Sequence, residues 1–105
     1  ANNNDLMKTE KRIAEYVAQQ PKNGDSDNWS RLYYLGSELE FSARFYSHNK
    51  AKPVRLDQLE NLAVQQQGVF VAIPAQHWET TVAHFGARLE PRIENMRFKL
   101  AFLNP

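Results

Sequence analysis

Residues 69–73, with the sequence VFVAI, constrain the fold more than any other part of the chain. All five are apolar, and they stand between Gly68 and Pro74. A strand that is buried on one face alternates apolar with polar residues, whereas an uninterrupted apolar run is typical of a strand buried on both faces. We therefore predict that this run is the central strand of a parallel sheet and that helices cover both of its faces.

Helical and strand patterns alternate on either side of this run. Helices are predicted over residues 5–20, 41–47, 56–67 and 74–85, and a polar loop over 21–30. Further strands are predicted over residues 31–35, 52–55, 89–93 and 96–102, the last two as a hairpin. This order predicts a single α/β domain with a three-layer α/β/α architecture. Its sheet is expected to be mainly parallel, with the C-terminal antiparallel hairpin extending one edge.

The segment after Gly36 allows two interpretations. As a strand, residues 41–47 would place Phe41, Ala43 and Phe45 on one face. As a short helix, they would bring Phe41 against Phe45 at four-residue spacing. We favour the helix, because a strand–helix unit then begins at the glycine.

The bulk composition indicates a folded domain and excludes several classes of function. The 105 residues fit one domain, and the 13 basic and 12 acidic residues nearly balance, so nucleic acid is not an expected partner. The absence of cysteine excludes disulfides, thiol catalysis and cysteine zinc sites. No run approaches the ~18 apolar residues of a membrane span. A sequence that begins at Ala1 is expected to be a mature or excised piece.

A candidate anion site follows the strand at residues 31–35. In open parallel sheets, ligands favour the crevice at the carboxyl ends of the strands, where a helix N-terminus can hold an anion. Gly36, Ser37 and Ser42 are the local groups. The spacing of the glycines matches neither a dinucleotide fingerprint nor a Walker loop, so an ordinary turn is favoured over anion binding. Glu38 and Glu40 are interpreted as solvated acids rather than a catalytic pair.

Two modest basic surfaces are also expected. One stretch has no acid between Phe41 and Leu56 and contains Arg44, His48, Lys50, Lys52 and Arg55. The other is the outer face of the hairpin, with Arg88, Arg92, Arg97 and Lys99. Either surface could meet phosphate groups of lipid or oligosaccharide. The favoured interpretation is that charged exterior strands protect a sheet edge from pairing with other chains.

The remaining polar and aromatic residues suggest no catalytic or metal centre. His77 and His84 are seven residues apart, whereas helical zinc pairs usually need a spacing of four and a third ligand. No serine lies in a nucleophile elbow. Trp78 is predicted to lie in the core, while Trp29 either stacks on a partner or folds back as a lid over the core. We predict no cofactor, no metal and no catalytic residue in this chain.

The run LYYLGSELEFSARFYS, residues 32–47, resembles a pattern near the C-terminus of bacterial polyprenyl-phosphate sugar transferases. These are the aminoarabinose (lipid A) transferases and their relatives in the protein mannosyltransferase superfamily. In that pattern, a strand ending in Gly-Glu-Leu-Pro precedes a segment similar to Phe-Ser-Ala-x-Phe-Tyr-Ser. Glu38 and Leu39 match it here, Ser37 is an insertion, and Glu40 stands where proline is common.

The resemblance implies a non-catalytic extracytoplasmic domain of an integral-membrane glycosyltransferase. Such an enzyme moves a sugar from a lipid-phosphate carrier to lipid A or a similar acceptor, and its catalytic acids lie near its membrane helices. The domain would then sit on the periplasmic side of the inner membrane. Its partners would be the transmembrane domain of the same polypeptide and the phosphates of lipid-linked sugar or lipid A. Contact residues implied or suggested by charge are Gly36, Ser37, Glu38, Ser42, Arg88, Arg92, Arg97 and Lys99.

Two alternatives from other classes of function remain open. The chain is then either a stand-alone module that binds a nucleotide or phosphate beside Gly36, or a protein-interaction domain that uses the edge of the hairpin.

Overall fold

The computed structural model describes residues 3–22, 24, 27–36, 38–94 and 97–105. It contains four α-helices, five strands and short 3-10 turns within these residues. The helices are α1 (Asn3–Gln19), α2 (Phe41–Tyr46), α3 (Leu56–Gln65) and α4 (Trp78–Phe85). The strands are β1 (Leu32–Leu35), β2 (Lys52–Val54), β3 (Val69–Pro74), β4 (Leu89–Ile93) and β5 (Phe98–Leu103). The predicted positions of the elements are confirmed, including the choice of a helix for α2.

The strands form one mixed sheet in the order β2-β1-β3-β5-β4. β1 is parallel to both β2 and β3, whereas β5 is antiparallel to both β3 and β4. The prediction of a mainly parallel sheet is therefore wrong, because two of the four pairings are antiparallel. The hairpin does extend one edge, but its second strand lies inside, paired with β3 from Val69–Leu103 to Pro74–Phe98.

The positions of the strand prolines fit this order, since Pro74 of the central strand β3 is the last residue of that strand. Both edge strands contain a proline, Pro53 in β2 and Pro91 in β4. A proline has no N–H to give to a neighbouring strand and is therefore confined to edges and bulges. The β4–β5 register shifts between Pro91 and Ile93, as a bulge requires. β5 contains no proline and can pair on both sides.

Two hydrophobic clusters hold the helices to the sheet. Ile13 and Val17 of α1 and Ala43 of α2 pack in the first, and Leu59 of α3 and Phe85 of α4 pack in the second. Neighbouring strand residues belong to different clusters. In β3, for example, Phe70 and Ala72 join the first, whereas Val69, Val71 and Ile73 join the second. This division follows from the alternation of side chains along a strand.

Most element ends lie within two residues of the sequence prediction, and two regions differ by more. The predicted loop ends earlier than expected, because Asn28–Arg31 forms a 3-10 turn. The buried Asn28 amide donates to the carbonyls of Val17 and Gln20, at 3.1 and 2.8 Å, and so closes the C-terminus of α1. Pro74 ends β3 rather than opening a helix, and a 3-10 turn at Ala75–His77 precedes α4.

Gly68 joins α3 to β3 in a conformation that favours glycine. Its φ is +103°, and its N–H donates to Ala63 O at 2.7 Å, which closes the helix. A methyl group on its Cα would overlap Cζ of Phe102. That ring packs edge-on against Phe70 at 5.0 Å between centroids and has the Arg31 guanidinium 5.7 Å from its centre, so its displacement would disturb both contacts.

We predict that Gly68→Ala lowers the free energy of unfolding by about 3 kcal/mol, from backbone strain plus the displaced ring. Chemical denaturation followed by tryptophan fluorescence measures the change. Gly24→Ala is the control, since Gly24 also has a positive φ but, among the described residues, no atom lies within 4 Å of the added methyl group. Equal losses in the two variants would show that the Phe102 contact does not matter.

Candidate functional site

A crevice opens where the three parallel strands end. It has a volume of about 460 Å³. Its lining residues follow or end β1, β2 and β3 or lie near the starts of α3 and α4, and they are Leu35, Gly36, Val54, Arg55, Leu56, Pro74, His77, Thr80 and Thr81. A smaller cavity of about 300 Å³ shares Gly36, Val54 and Arg55 with it. The carboxyl ends of parallel strands are the common place for ligands in α/β sheets.

Two hydrogen bonds shape the floor and one wall of this crevice. The Gly36 N–H donates to Val54 O at 2.9 Å, which ties the end of β1 to the end of β2. Its φ of +147° is one that glycine adopts readily. The Arg55 N–H donates to Oε1 of Gln58 at 2.9 Å, as in a capping box at the start of α3.

The polar groups of the crevice are mostly engaged within the chain. The hydroxyls of Thr80 and Thr81 both donate to His77 O, at 3.1 and 2.7 Å. The Arg55 guanidinium contacts Asp57 at 3.2 Å. Apart from the His77 side chain and the glycine, the remaining lining residues are apolar. The crevice therefore suits an apolar body better than a phosphate group, which needs several free N–H donors.

The structure brings only part of the predicted anion site to this crevice. Gly36 lines it, but its N–H is already bound to Val54. Ser37 lies outside the described residues. Glu38 is exposed and Ser42 is half-buried, and neither is among the residues that line the crevice. Ser42 belongs to α2, which packs on α1 and the first hydrophobic cluster.

The four predicted basic residues of the hairpin do not share one surface. Arg92 donates to the Tyr16 hydroxyl of α1 at 3.1 Å and to Glu90 at 3.2 Å. Arg88 binds Glu60 of α3 at 2.9 Å. The Lys99 ammonium lies 5.6 Å from the centre of the Trp78 ring of α4. These partners belong to different helices, so the charges are distributed and largely compensated rather than collected for a ligand.

Arg97 is the centre of a charge cluster that sequence reasoning missed. Its guanidinium donates to both oxygens of Glu40, at 2.9 and 3.0 Å, and to Oε1 of Glu10 at 3.0 Å. Glu10 is fully buried on α1. The sequence does indicate that Glu10 is buried. It lies three residues before Ile13 and seven before Val17, and this spacing places it on the apolar face of the helix.

Burial raises the pKa of Glu10 to about 7, and the nearby charge of Glu40 adds to the effect. The Tyr34 hydroxyl and the charge of Arg97 act in the opposite direction. The pKa of Tyr34 itself is raised well above its usual range, first by burial and then by the charge of Glu10. A wholly buried carboxyl does not reach a substrate in this conformation, so the cluster is structural.

The aromatic and histidine residues occupy separate places. Trp29 folds back over the first cluster, where its indole N–H donates to Ala14 O at 2.9 Å and its ring stacks on His48 at 4.9 Å. His77 lines the crevice, and His84 packs against Phe85. No group of three or more metal-ligand side chains occurs within the residues that the structure describes.

Comparison with known proteins identifies no relative of the chain, so a functional proposal depends on the geometry described above. No family model, curated protein or solved structure matches the chain. Across the described ranges, every helix is too short or too polar to cross a bilayer.

We predict that Glu10 makes stability fall as pH rises. The folded protein keeps the Glu10 proton up to about pH 7, whereas a glutamate in the unfolded chain loses it near 4.5. The contribution is therefore complete below 4.5 and is lost as pH rises through 7, by about 3 kcal/mol. Glu10→Gln removes this slope in denaturation curves measured between pH 4.5 and 8.

Glu60→Gln is the matched control, because Glu60 is an exposed carboxylate that also binds an arginine. It should leave the slope unchanged. A slope that survives in Glu10→Gln would mean that another group titrates in this range.

Proposed function

We propose that this chain is a non-catalytic extracytoplasmic domain of a bacterial membrane glycosyltransferase that moves a sugar from a lipid-phosphate carrier to lipid A or a similar acceptor. The observation that carries the proposal lies in residues 32–47, the segment similar to such enzymes. Phe41 and Phe45, which belong to its aromatic part, are 80% and 62% exposed. The domain thus presents large apolar side chains to its surroundings, which is a feature of contact surfaces.

In this proposal the domain acts by contact, and the sugar transfer takes place in a membrane part of the same polypeptide. Glu40 is an exposed acid, but both of its oxygens accept hydrogen bonds from Arg97 and are therefore not free for catalysis. This supports the placement of the chemistry in the membrane part. The domain would lie on the periplasmic side of the inner membrane and would shape the acceptor path or stabilise the enzyme.

We also infer the finer architecture that the sequence suggests, with helices in two layers around the sheet. The two hydrophobic clusters support it: one joins α1 and α2 to the strands, and the other joins α3 and α4. Such an arrangement leaves α2 on one side of the sheet and the crevice between α3 and α4 on the other.

Antibodies raised against the domain test the membrane assignment in the source bacterium. The antigen should appear in a polypeptide much larger than 12.2 kDa that stays in the membrane pellet after carbonate extraction. Protease added to spheroplasts should remove it while a cytoplasmic marker survives. A carbonate-soluble antigen of about the mass of this chain would overturn the proposal.

The crevice favours a second candidate, a small-molecule binding module, and here the structure suggests an apolar ligand rather than a nucleotide. We predict that small aromatic compounds, and not ATP, raise the melting temperature of the domain. Thr80→Trp should abolish this shift, because Thr80 lies exposed at the rim of the crevice. Glu79→Trp is the control on the same helix. Stabilisation by ATP instead would restore the phosphate interpretation.

A further inference from the structure

We propose that one face of α2, formed by Phe41, Arg44 and Phe45 and called here the α2 surface, binds the interface of an anionic lipid bilayer. The inference deepens the proposed function, because it names a partner for the exposed aromatic residues. It rests on the proposed function in one respect: a membrane parent would hold the domain near lipid.

The two rings form a single apolar projection. Phe41 and Phe45 are one helical turn apart, and their rings stack with centroids 6.1 Å apart. Phe45 also packs edge-on against Tyr46 at 5.1 Å. At about 100° per residue, Phe41, Arg44 and Phe45 fall within an arc of about 100°, opposite Ala43. Ala43 is buried in the first cluster.

The helix is held firmly from behind, so that this projection keeps its orientation. The Ser47 hydroxyl is fully buried and accepts a hydrogen bond from the Ala51 N–H at 3.1 Å. The Asn49 N–H donates to Arg44 O at 2.8 Å. α2 also packs along α1. A rigid projection loses little entropy when it enters the headgroup region.

The charged side chains that follow Phe41 in the sequence are of one sign as far as Leu56. No acid occurs from Phe41 to Leu56. Lys50 pairs with Asp27 and Arg55 with Asp57, which leaves Arg44 and Lys52 as exposed cations of this segment without an intramolecular salt bridge in the described chain. Of the two acids that precede α2, Glu40 is bound by Arg97, and Glu38 lies three residues outside the helix.

This combination favours lipid over a protein partner. Interfacial helices place aromatic side chains at the boundary between headgroups and acyl chains, while arginine or lysine beside them contacts anionic headgroups. The α2 surface is an apolar projection with an adjacent cation. Such a projection can enter the lipid headgroup region, which needs no preformed pocket. A protein partner would need a matching pocket for both rings and a carboxylate for Arg44.

Vesicle flotation of the isolated chain tests the proposal. Vesicles of phosphatidylcholine containing phosphatidylglycerol should carry the domain upward, and vesicles of phosphatidylcholine alone should bind it much more weakly. Amide line broadening in the presence of the anionic vesicles should centre on residues 41–46. Raised salt should weaken binding without removing the aromatic contribution.

Variants separate the apolar and the charged contributions. Phe41→Ser and Phe45→Ser should each weaken binding about tenfold. Val64→Ser is the matched control, because Val64 is 61% exposed but lies on α3. Arg44→Glu should abolish the preference for anionic vesicles, whereas Arg12→Glu on α1 makes the same charge change elsewhere and should keep it. Thermal melts confirm that each variant is folded.

Equal binding to both vesicle types, or broadening centred away from α2, overturns the inference. The absence of vesicle binding also overturns it. A photocrosslinker placed at position 45 of the parent protein would then show whether α2 contacts a membrane protein instead of lipid. In that case the fractionation result still stands, so the failure of the lipid contact is distinguishable from failure of the proposed function.

Discussion

The structure depends on the burial of β3 on every side. Its residues from Val69 to Ile73 are all buried, and the strand pairs with β1 on one edge and β5 on the other. A backbone in this position must give all of its hydrogen bonds to other strands, because water does not reach it. The two neighbouring strands, and the helices that bury alternate side chains of β3, are consequences of that requirement. The prolines of β2 and β4 then end the sheet.

The same arrangement brings the notable features of the surface to one end of the sheet. β3 ends at Pro74, and the next residue, Ala75, donates its N–H to Arg97 O at 3.0 Å. Arg97 therefore stands beside the carboxyl ends of the parallel strands, where the crevice also opens. The arginine points to Glu10 of α1, whereas the crevice lies between α3 and α4. The charge cluster of Arg97 and the crevice are thus separate features of this end of the sheet.

Much of the fold could be predicted from local patterns, because those patterns report short-range physics. The apolar run of β3 and the four-residue spacing of Phe41 and Phe45 placed a strand and a helix correctly. Strand order could not be read in the same way. It depends on which strand of the hairpin can pair on both sides, and Pro91 decides this only once the hairpin is known to contact β3.

The candidate site was less accessible to sequence reasoning for a related reason. Gly36 lines the crevice, but its N–H donates to the carbonyl oxygen of Val54, eighteen residues later in the sequence. The bond between Arg97 and Glu10 joins residues 87 apart. Such contacts leave no periodic trace, although an acid on the apolar face of α1 indicates that some partner must exist.

The exposed rings of α2 contribute little to the stability of the fold. Ala43 and Ser47 attach the helix to the rest of the domain through buried contacts, whereas Phe41 and Phe45 mainly contact each other and Tyr46. Their apolar area remains in water, so it adds little to the stability of the isolated domain and lowers its solubility. An external partner that removes this area from water therefore gains free energy that folding has left unused. Because Leu35 packs with the second cluster while α2 packs with the first, that partner would leave the crevice open. If both proposals hold, the domain would make a surface contact through α2 and bind a small apolar ligand at the strand ends at the same time.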